Sequence, residues 1–208
     1  KTVNIAIIGF GNIGSYFYKT LEKNKNKIYL KTGKIPVIKY ICSKNLKKKR
    51  KIKLPNSKWI KDPIKLTSRK DVDIVIELIG GSEGIAKKVV FSALRNYKHV
   101  ITANKSLMAK HGDKLSYIAQ KNNVNLEYEA SVAGGIPVIR SIKDGLIANK
   151  ISKIFGILNG TTNYILSEME KSRKNFSEVL DNAKKMGFAE SNPISDLNGN
   201  DSADKIRI

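Results

Sequence analysis

The chain opens with an apolar run, Val3 to Ile8 interrupted only by Asn4, that ends in the glycine-rich GFGNIG. An apolar run without alternation predicts a strand buried on both faces, then a tight turn. Ile13, Phe17 and Leu21 recur at helical spacing, so a helix is expected from Ile13 to Lys23. Val37–Cys42 and Asp73–Leu78 repeat the buried-strand pattern, and Ile85–Arg95 reads as a helix. His99–Thr102 is a short strand, Leu107–Ala119 a helix and Val124–Tyr128 a further strand. Strands alternating with helices imply a parallel sheet with right-handed crossovers.

After about Glu129 the pattern changes. Ser131–Pro137 reads as a glycine-rich hinge and Val138–Leu146 as a helix. Ser152–Leu158 alternates, as a half-exposed strand does. Helices are expected at Thr161–Lys171 and Phe176–Lys185, followed by an irregular stretch from Gly187 to Gly199. Asp201–Ile208 reads as the start of a helix in which the chain stops, so a fragment is expected. The expected division is residues 1–130 and 131–208: an α/β doubly wound parallel sheet, then a second, incomplete mixed α/β domain.

Composition bounds what this chain does. Its 208 residues are 41% hydrophobic, enough for a core, and no window reads as a membrane span. A strand pattern at the very start predicts no signal peptide. The single cysteine, Cys42, rules out an intrachain disulfide and fits a reducing cytoplasm. The net charge of +21 raises a nucleic-acid reading, but the excess is mostly lysine dispersed over expected loops and helix faces. Base-reading sites favour arginine forks, and single-strand sites favour clustered aromatics. Neither is present, so a solvated lysine surface with no nucleic-acid partner is expected.

GFGNIG after a buried strand and before a helix is the dinucleotide fingerprint. Gly9 permits the tight turn, Gly11 lets backbone approach a pyrophosphate, and Gly14 lets helix and strand pack closely. Phe10, Asn12 and Ile13 complete the turn, whose N–H groups bind phosphates at a helix start. An NAD site usually carries an acid at the end of the second strand. Here Cys42-Ser43-Lys44-Asn45 has none. Ser43 and Lys44 suit a 2′-phosphate, so NADP(H) is expected over NAD(H). The basic run Lys47 to Lys51 either assists or is plain exposed loop.

Together with ELIGGSE, HVITANKSLMAKHG, EASVAGGIPVI, GILNGTTNYIL, GFAESNP and DLNGNDSADK, this turn resembles the homoserine dehydrogenases, in that family's order and spacing. The resemblance covers most of the chain except the lysine-rich stretch around Lys23 to Lys61. It implies a Rossmann domain joined to a substrate and dimerisation domain. It also implies reversible NAD(P)H-dependent reduction of aspartate 4-semialdehyde to homoserine, on the route to threonine, methionine and isoleucine, by a homodimer. The family core continues past Ile208.

The resemblance makes Lys205 the proton donor, with Asp201 acting beside it. Spacing alone reads that pair as an i,i+4 surface salt bridge. Lys105 falls beside cofactor and substrate, at a strand end where open α/β sheets bind ligands. A lysine at a helix start opposes the dipole, which favours a functional reading. Glu190 and Asp196 are the expected contacts of the substrate ammonium. The N–H groups of Asn159, Gly160 and Thr161 suit its carboxylate, although Thr161 equally fits an ordinary helix start. Gly80 is a further expected cofactor contact. EASVAGGIP resembles the family's monovalent-cation (sodium) site, with oxygens from Glu129, Val132, Gly134 and Ile136; without the resemblance it reads as a hinge.

Cys42 ends the second strand on the adenosine side, which excludes an acylating dehydrogenase that needs a cysteine nucleophile. His99 is expected to be structural and His111 exposed near a helix end. Two scattered histidines make no zinc site. The competing readings are another two-domain NADP oxidoreductase of a small carbonyl, and a non-enzymatic, basic nucleotide-sensing protein.

Overall fold

The computed structural model describes residues 1–44, 54 and 58–208. Asn45 and the basic run Lys47 to Lys51 lie outside the described residues. The chain divides into two compact units, Lys1–Ile139 and Arg140–Ile208.

The first unit is built on a six-stranded sheet. Its strands are β1 (Thr2–Ile8), β2 (Ile35–Cys42), β3 (Lys58–Ile60), β4 (Ile74–Glu77), β5 (His99–Thr102) and β6 (Leu126–Glu127), in the order β3-β2-β1-β4-β5-β6. Every pairing is parallel. This is the doubly wound order of dinucleotide-binding domains, with its switch point between β1 and β4. The apolar runs form the centre: Ile5, Ile7, Ile38, Ile41 and Ile76 pack with Phe10 and Tyr18 in one buried cluster. Register sets the site. Ile8 lies opposite both Cys42 and Glu77, and Glu77 lies opposite Thr102, so these residues line the carboxyl edge of the sheet.

The unit's longer helices are α1 (Asn12–Thr32), α3 (Ile85–Arg95) and α4 (Lys105–Lys121). Between β3 and β4 lies the short α2 (Pro63–Thr67), capped by the Asp62 carboxylate, which accepts from the Ile64 N–H. A proline at the first helical position completes that start signal. β3 and α2 are too short for periodicity to show in the sequence. Helix α1 runs well past the expected end at Lys23. Nothing between Lys23 and Gly33 breaks a helix; only the apolar periodicity fades. Gly33 stops it in the left-handed conformation at φ 66°, with its N–H on the Tyr29 carbonyl. Ile13 does not join the core: it is 64% exposed, while Phe17 and Leu21 do pack inward.

The expected Val124–Tyr128 strand shortens to β6, followed by a 3₁₀ turn at Glu129–Ser131. The expected Val138–Leu146 helix is a single turn, α5 (Val138–Arg140), continued by a wide π turn at Ser141–Gly145.

The second unit is helical: α6 (Gly160–Ser172), α7 (Phe176–Lys185), α8 (Ile194–Leu197) and α9 (Asn200–Arg207). Ile165, Val179, Ala183 and Ala189 form its small core. The strand expected at Ser152–Leu158 does not form; the segment has no regular structure and Phe155 is 84% exposed. The reason is topological. Residues 140–208 contain no second strand, and one strand alone leaves its backbone unpaired.

Candidate functional site

The first part of the site is the glycine turn between β1 and α1. Gly9 has φ 103°, and a Cβ there would lie 2.5 Å from the Leu78 carbonyl oxygen. A Cβ on Gly14 would lie 2.3 Å from the Gly9 oxygen. Both glycines are therefore demanded by chain packing. Gly11 differs: its Cβ would meet nothing within 4 Å. It fronts open space as the N-cap of α1, with no side-chain cap and no acidic residue in the first turn. The first N–H groups of a helix have no intrahelical acceptor, so this end suits an anion. The Phe10 ring is committed elsewhere, edge-on to Trp59 at 5.5 Å and to Tyr18 at 6.1 Å.

Beside the turn lies a cavity of ≈ 430 Å³ lined by residues including Gly9, Cys42, Ser43, Lys44, Lys61 and Ile79. It sits at the ends of β1, β2 and β4, where an adenosine binds in this fold. Open space before Gly11, an uncapped helix start and this cavity fit a dinucleotide. Ser43 and Lys44 occupy the wall where an NAD site places an acid. Cys42 is part of that lining; burial pushes its thiol up to about 11, helped by Asp62. A thiol held neutral is a poor nucleophile.

A network the sequence reading missed holds the far wall. Glu77 is fully buried. One carboxylate oxygen accepts from the Ile79 N–H at 2.7 Å and the Gly80 N–H at 3.0 Å; the other accepts from the Thr102 hydroxyl at 2.6 Å. Asn104 donates from its backbone to Thr102 Oγ1 and from its amide to the Gly81 carbonyl, and its Oδ1 caps α4 through the Leu107 N–H. Thus Glu77 braces the Gly80 loop and, through Thr102 and Asn104, the start of α4. Lys105 is the first residue of α4 and is half-buried. The available signal was an acid closing an otherwise apolar strand.

Past that loop, Glu83 binds Lys87, Lys110 and His111. These donors hold its carboxyl down to about 2. His111 is not exposed as expected: its side chain is 11% exposed and Nε2 lies 3.0 Å from Glu83. The loop acid reaches across to α4 and covers it. His99 has a structural partner, with Nδ1 accepting from the Asn125 N–H.

In the second unit, five expected site residues converge. Lys205 Nζ lies 2.7 Å from Asp201 Oδ2, with side chains only 23% and 10% exposed. This is not a surface salt bridge. Lys205 also donates to the Leu158 carbonyl. Asn159 donates to Asp201 and to Asp196, each at 2.8 Å. The Thr161 hydroxyl sits 2.8 Å from the Phe188 carbonyl and 3.1 Å from Asp196 Oδ2. Glu190 stays apart, exposed on the loop after α7. A half-buried ammonium beside a buried carboxylate forms an arrangement that can give and take a proton.

The EASVAGGIP loop lies at the end of the first unit. Glu129 Oε1 accepts from the Ile139 N–H, its backbone oxygen accepts from the Val132 N–H, and the Ile136 carbonyl accepts from the Val138 N–H. Val132 is buried, whereas Gly134 and Ile136 are exposed. Among the described residues no group of three or more His, Cys, Asp and Glu side chains is placed to hold a metal ion. No helix of the described residues is long and apolar enough to cross a membrane.

The parallel strand order, the glycine turn and the uncapped helix start define a dinucleotide-binding protein of the Rossmann class. Comparison with known proteins narrows the class. The family model "Homoserine dehydrogenase, NAD binding domain" matches residues 9–129, and "Homoserine dehydrogenase" matches residues 137–208. The chain belongs to the homoserine dehydrogenase family. It is 44% identical to the homoserine dehydrogenase of Neisseria gonorrhoeae, over 100% of this chain and 47% of that one. It is 41% identical to that of Bacillus subtilis, over 100% of this chain and 48% of the relative. Among solved structures, the homoserine dehydrogenase of Thiobacillus denitrificans superposes with a TM-score of 0.89 at 37% identity, covering 99% of this chain and 47% of its own. A hyperthermophilic archaeal homoserine dehydrogenase in complex with NADPH shares the fold, with a TM-score of 0.82 at 22% identity. The chain spans about half the length of the curated relatives it matches.

Proposed function

We propose that this chain carries the cofactor site and proton-transfer residues of a homoserine dehydrogenase that reduces L-aspartate 4-semialdehyde reversibly to L-homoserine and prefers NADP(H) over NAD(H). The observation that carries the reading is the shielded Asp201–Lys205 pair, its carboxylate buried and its ammonium half-buried, in a chain whose other unit has the dinucleotide turn.

The first unit, residues 1–130 in the main, holds the cofactor. The free N–H groups after Gly11 take the pyrophosphate, and Gly80 lies along its path. Ser43 and Lys44 face the adenosine ribose, and the missing acid there supports the NADP preference. When bound, the nicotinamide supplies the hydride in reduction and accepts it in oxidation. Lys205 donates a proton to the alkoxide oxygen in reduction and accepts one in oxidation. Asp201 holds that ammonium by a charge-assisted bond. Lys105 polarises the carbonyl from the start of α4. The N–H groups of Gly160 and Thr161, at the start of α6 ahead of the Thr162 N–H that Asn159 caps, take the substrate carboxylate. Glu190 and Asp196 take its ammonium.

Oxygens of Glu129, Val132, Gly134 and Ile136 are the chemistry a monovalent cation such as sodium requires. The Ile136 carbonyl, which accepts one hydrogen bond, keeps a second lone pair. The activity belongs to threonine, methionine and isoleucine synthesis in the cytoplasm, in a homodimer.

The test is Lys205→Ala in the full-length protein. Turnover should collapse by at least a hundredfold while NADPH affinity holds within threefold. Retained turnover removes Lys205 from the mechanism.

A further inference from the structure

The Asn159 side chain has more partners than a helix cap needs. The residue is 6% exposed. Its Oδ1 accepts from the Thr162 N–H at 2.8 Å and the Thr162 hydroxyl at 3.0 Å. Its Nδ2 donates one hydrogen to Asp196 Oδ1 and one to Asp201 Oδ2, both at 2.8 Å. A primary amide offers two donors and one oxygen with two lone pairs. All four positions are taken, so the side chain has nothing left to offer a substrate.

These bonds do two separate jobs. The oxygen side closes the first turn of α6, which serine or aspartate does about equally well. The nitrogen side has no role in the helix. It ties together carboxylates from α8 and α9 that would otherwise repel each other. Asp201 Oδ2 is also the atom that holds Lys205 Nζ, at 2.7 Å. The other acceptor of Lys205 is the carbonyl of Leu158, the residue before Asn159. Adjacent residues therefore fix both members of the pair: Leu158 through its backbone, Asn159 through its amide.

We propose that Asn159 is a positioning residue for proton transfer, its amide nitrogen setting where Asp201 and, through it, Lys205 stand. This rests on the reading of Lys205 as proton donor, but the placement can be measured without turnover. Asn159→Ser keeps the cap and removes both donors. Asn159→Asp keeps cap and shape and puts a further carboxylate where the donors were.

The experiment uses the full-length protein and follows acetylation of Lys205 by limiting acetic anhydride, by mass spectrometry at fixed pH. In Asn159→Ser the loosened Lys205 should label at least threefold faster than in the native protein. In Asn159→Asp it should label slower, because the added carboxylate strengthens the hold on the ammonium. Opposite signs identify a positioning role, whereas a packing role moves both variants the same way. Unchanged labelling in both, or shifts of the same sign, overturns the proposal. The kcat for NADPH oxidation with aspartate semialdehyde should fall at least tenfold in Asn159→Ser, with NADPH affinity and Tm near native. Loss of kcat, affinity and Tm together would instead mark a purely structural residue. A native enzyme without turnover but with the opposed labelling shifts would refute the substrate reading and leave the positioning intact.

Discussion

Replacing Gly11 by alanine separates a cofactor-binding glycine from its structural neighbours. The added Cβ meets no protein atom within 4 Å, and Gly11 has φ −87°, which alanine adopts freely. Folding stability should fall only modestly, by about 0.5 kcal/mol, the difference between glycine and alanine at an N-cap offset in part by the stiffer unfolded chain. The methyl group instead occupies the space from which a pyrophosphate reaches the first N–H groups of α1. Losing one or two hydrogen bonds to a charged group, at about 1.5–3 kcal/mol each, predicts roughly 3 kcal/mol less binding energy. That is about a hundredfold in Kd for NADPH. Gly14→Ala should behave oppositely. Its Cβ would stand 2.3 Å from the Gly9 oxygen, so strand and helix must separate. Overpacking of this kind costs about 1–3 kcal/mol and should lower Tm. The assay is NADPH titration by nicotinamide fluorescence, paired with thermal unfolding. Gly11→Ala that binds NADPH within threefold of native, with unchanged Tm, would refute the assignment of that space to the pyrophosphate.

Other expected outcomes follow from the same site. Glu77→Ala leaves the Ile79 N–H, the Gly80 N–H and the Thr102 hydroxyl without their acceptor. Thr102 is the buried one of the three, so at about 1–3 kcal/mol per buried unsatisfied group the variant should lose at least that much, with the two part-buried N–H groups adding less, and Glu77→Gln, which keeps an acceptor, should lose clearly less; equal urea midpoints for the two would contradict the network. Lys44→Asp should move the ratio of kcat/KM for NADPH over NADH towards NADH by tenfold or more, and an unmoved ratio would discard the 2′-phosphate argument. Cys42, with its thiol pushed up to about 11, should react with a disulfide reagent slowly at pH 8 and faster only as the pH approaches that value. Complete labelling within seconds at pH 8 would show that the thiol is not held neutral by its burial.

Much of the first unit was legible in the sequence because burial on both faces leaves a nearly unbroken apolar run. Val3–Ile8 stands in the structure where that pattern put it, and Ile85–Arg95 and His99–Thr102 stand where helical spacing and a short apolar run put them. Failures came where pattern and physics diverge. The second half of α1 has no apolar stripe, yet only Gly33 could stop it. Ser152–Leu158 has a strand's alternation but no partner, and alternation cannot supply one. Spacing placed Asp201 and Lys205 on one helix face; it could not show that Asn159, far earlier in the chain, holds the Asp201 oxygen that binds Lys205. Glu77 escaped because one acid in DIVIEL looks like an ordinary strand end. Its role depends on Thr102, which only the parallel register brings opposite.

The most direct test of the account is to mix the full-length protein with NADPH and aspartate 4-semialdehyde and follow the absorbance of the reduced nicotinamide. The account predicts oxidation that requires the semialdehyde and reverses with homoserine and NADP⁺. NADPH that binds but is not oxidised, with both substrates saturating, would contradict it.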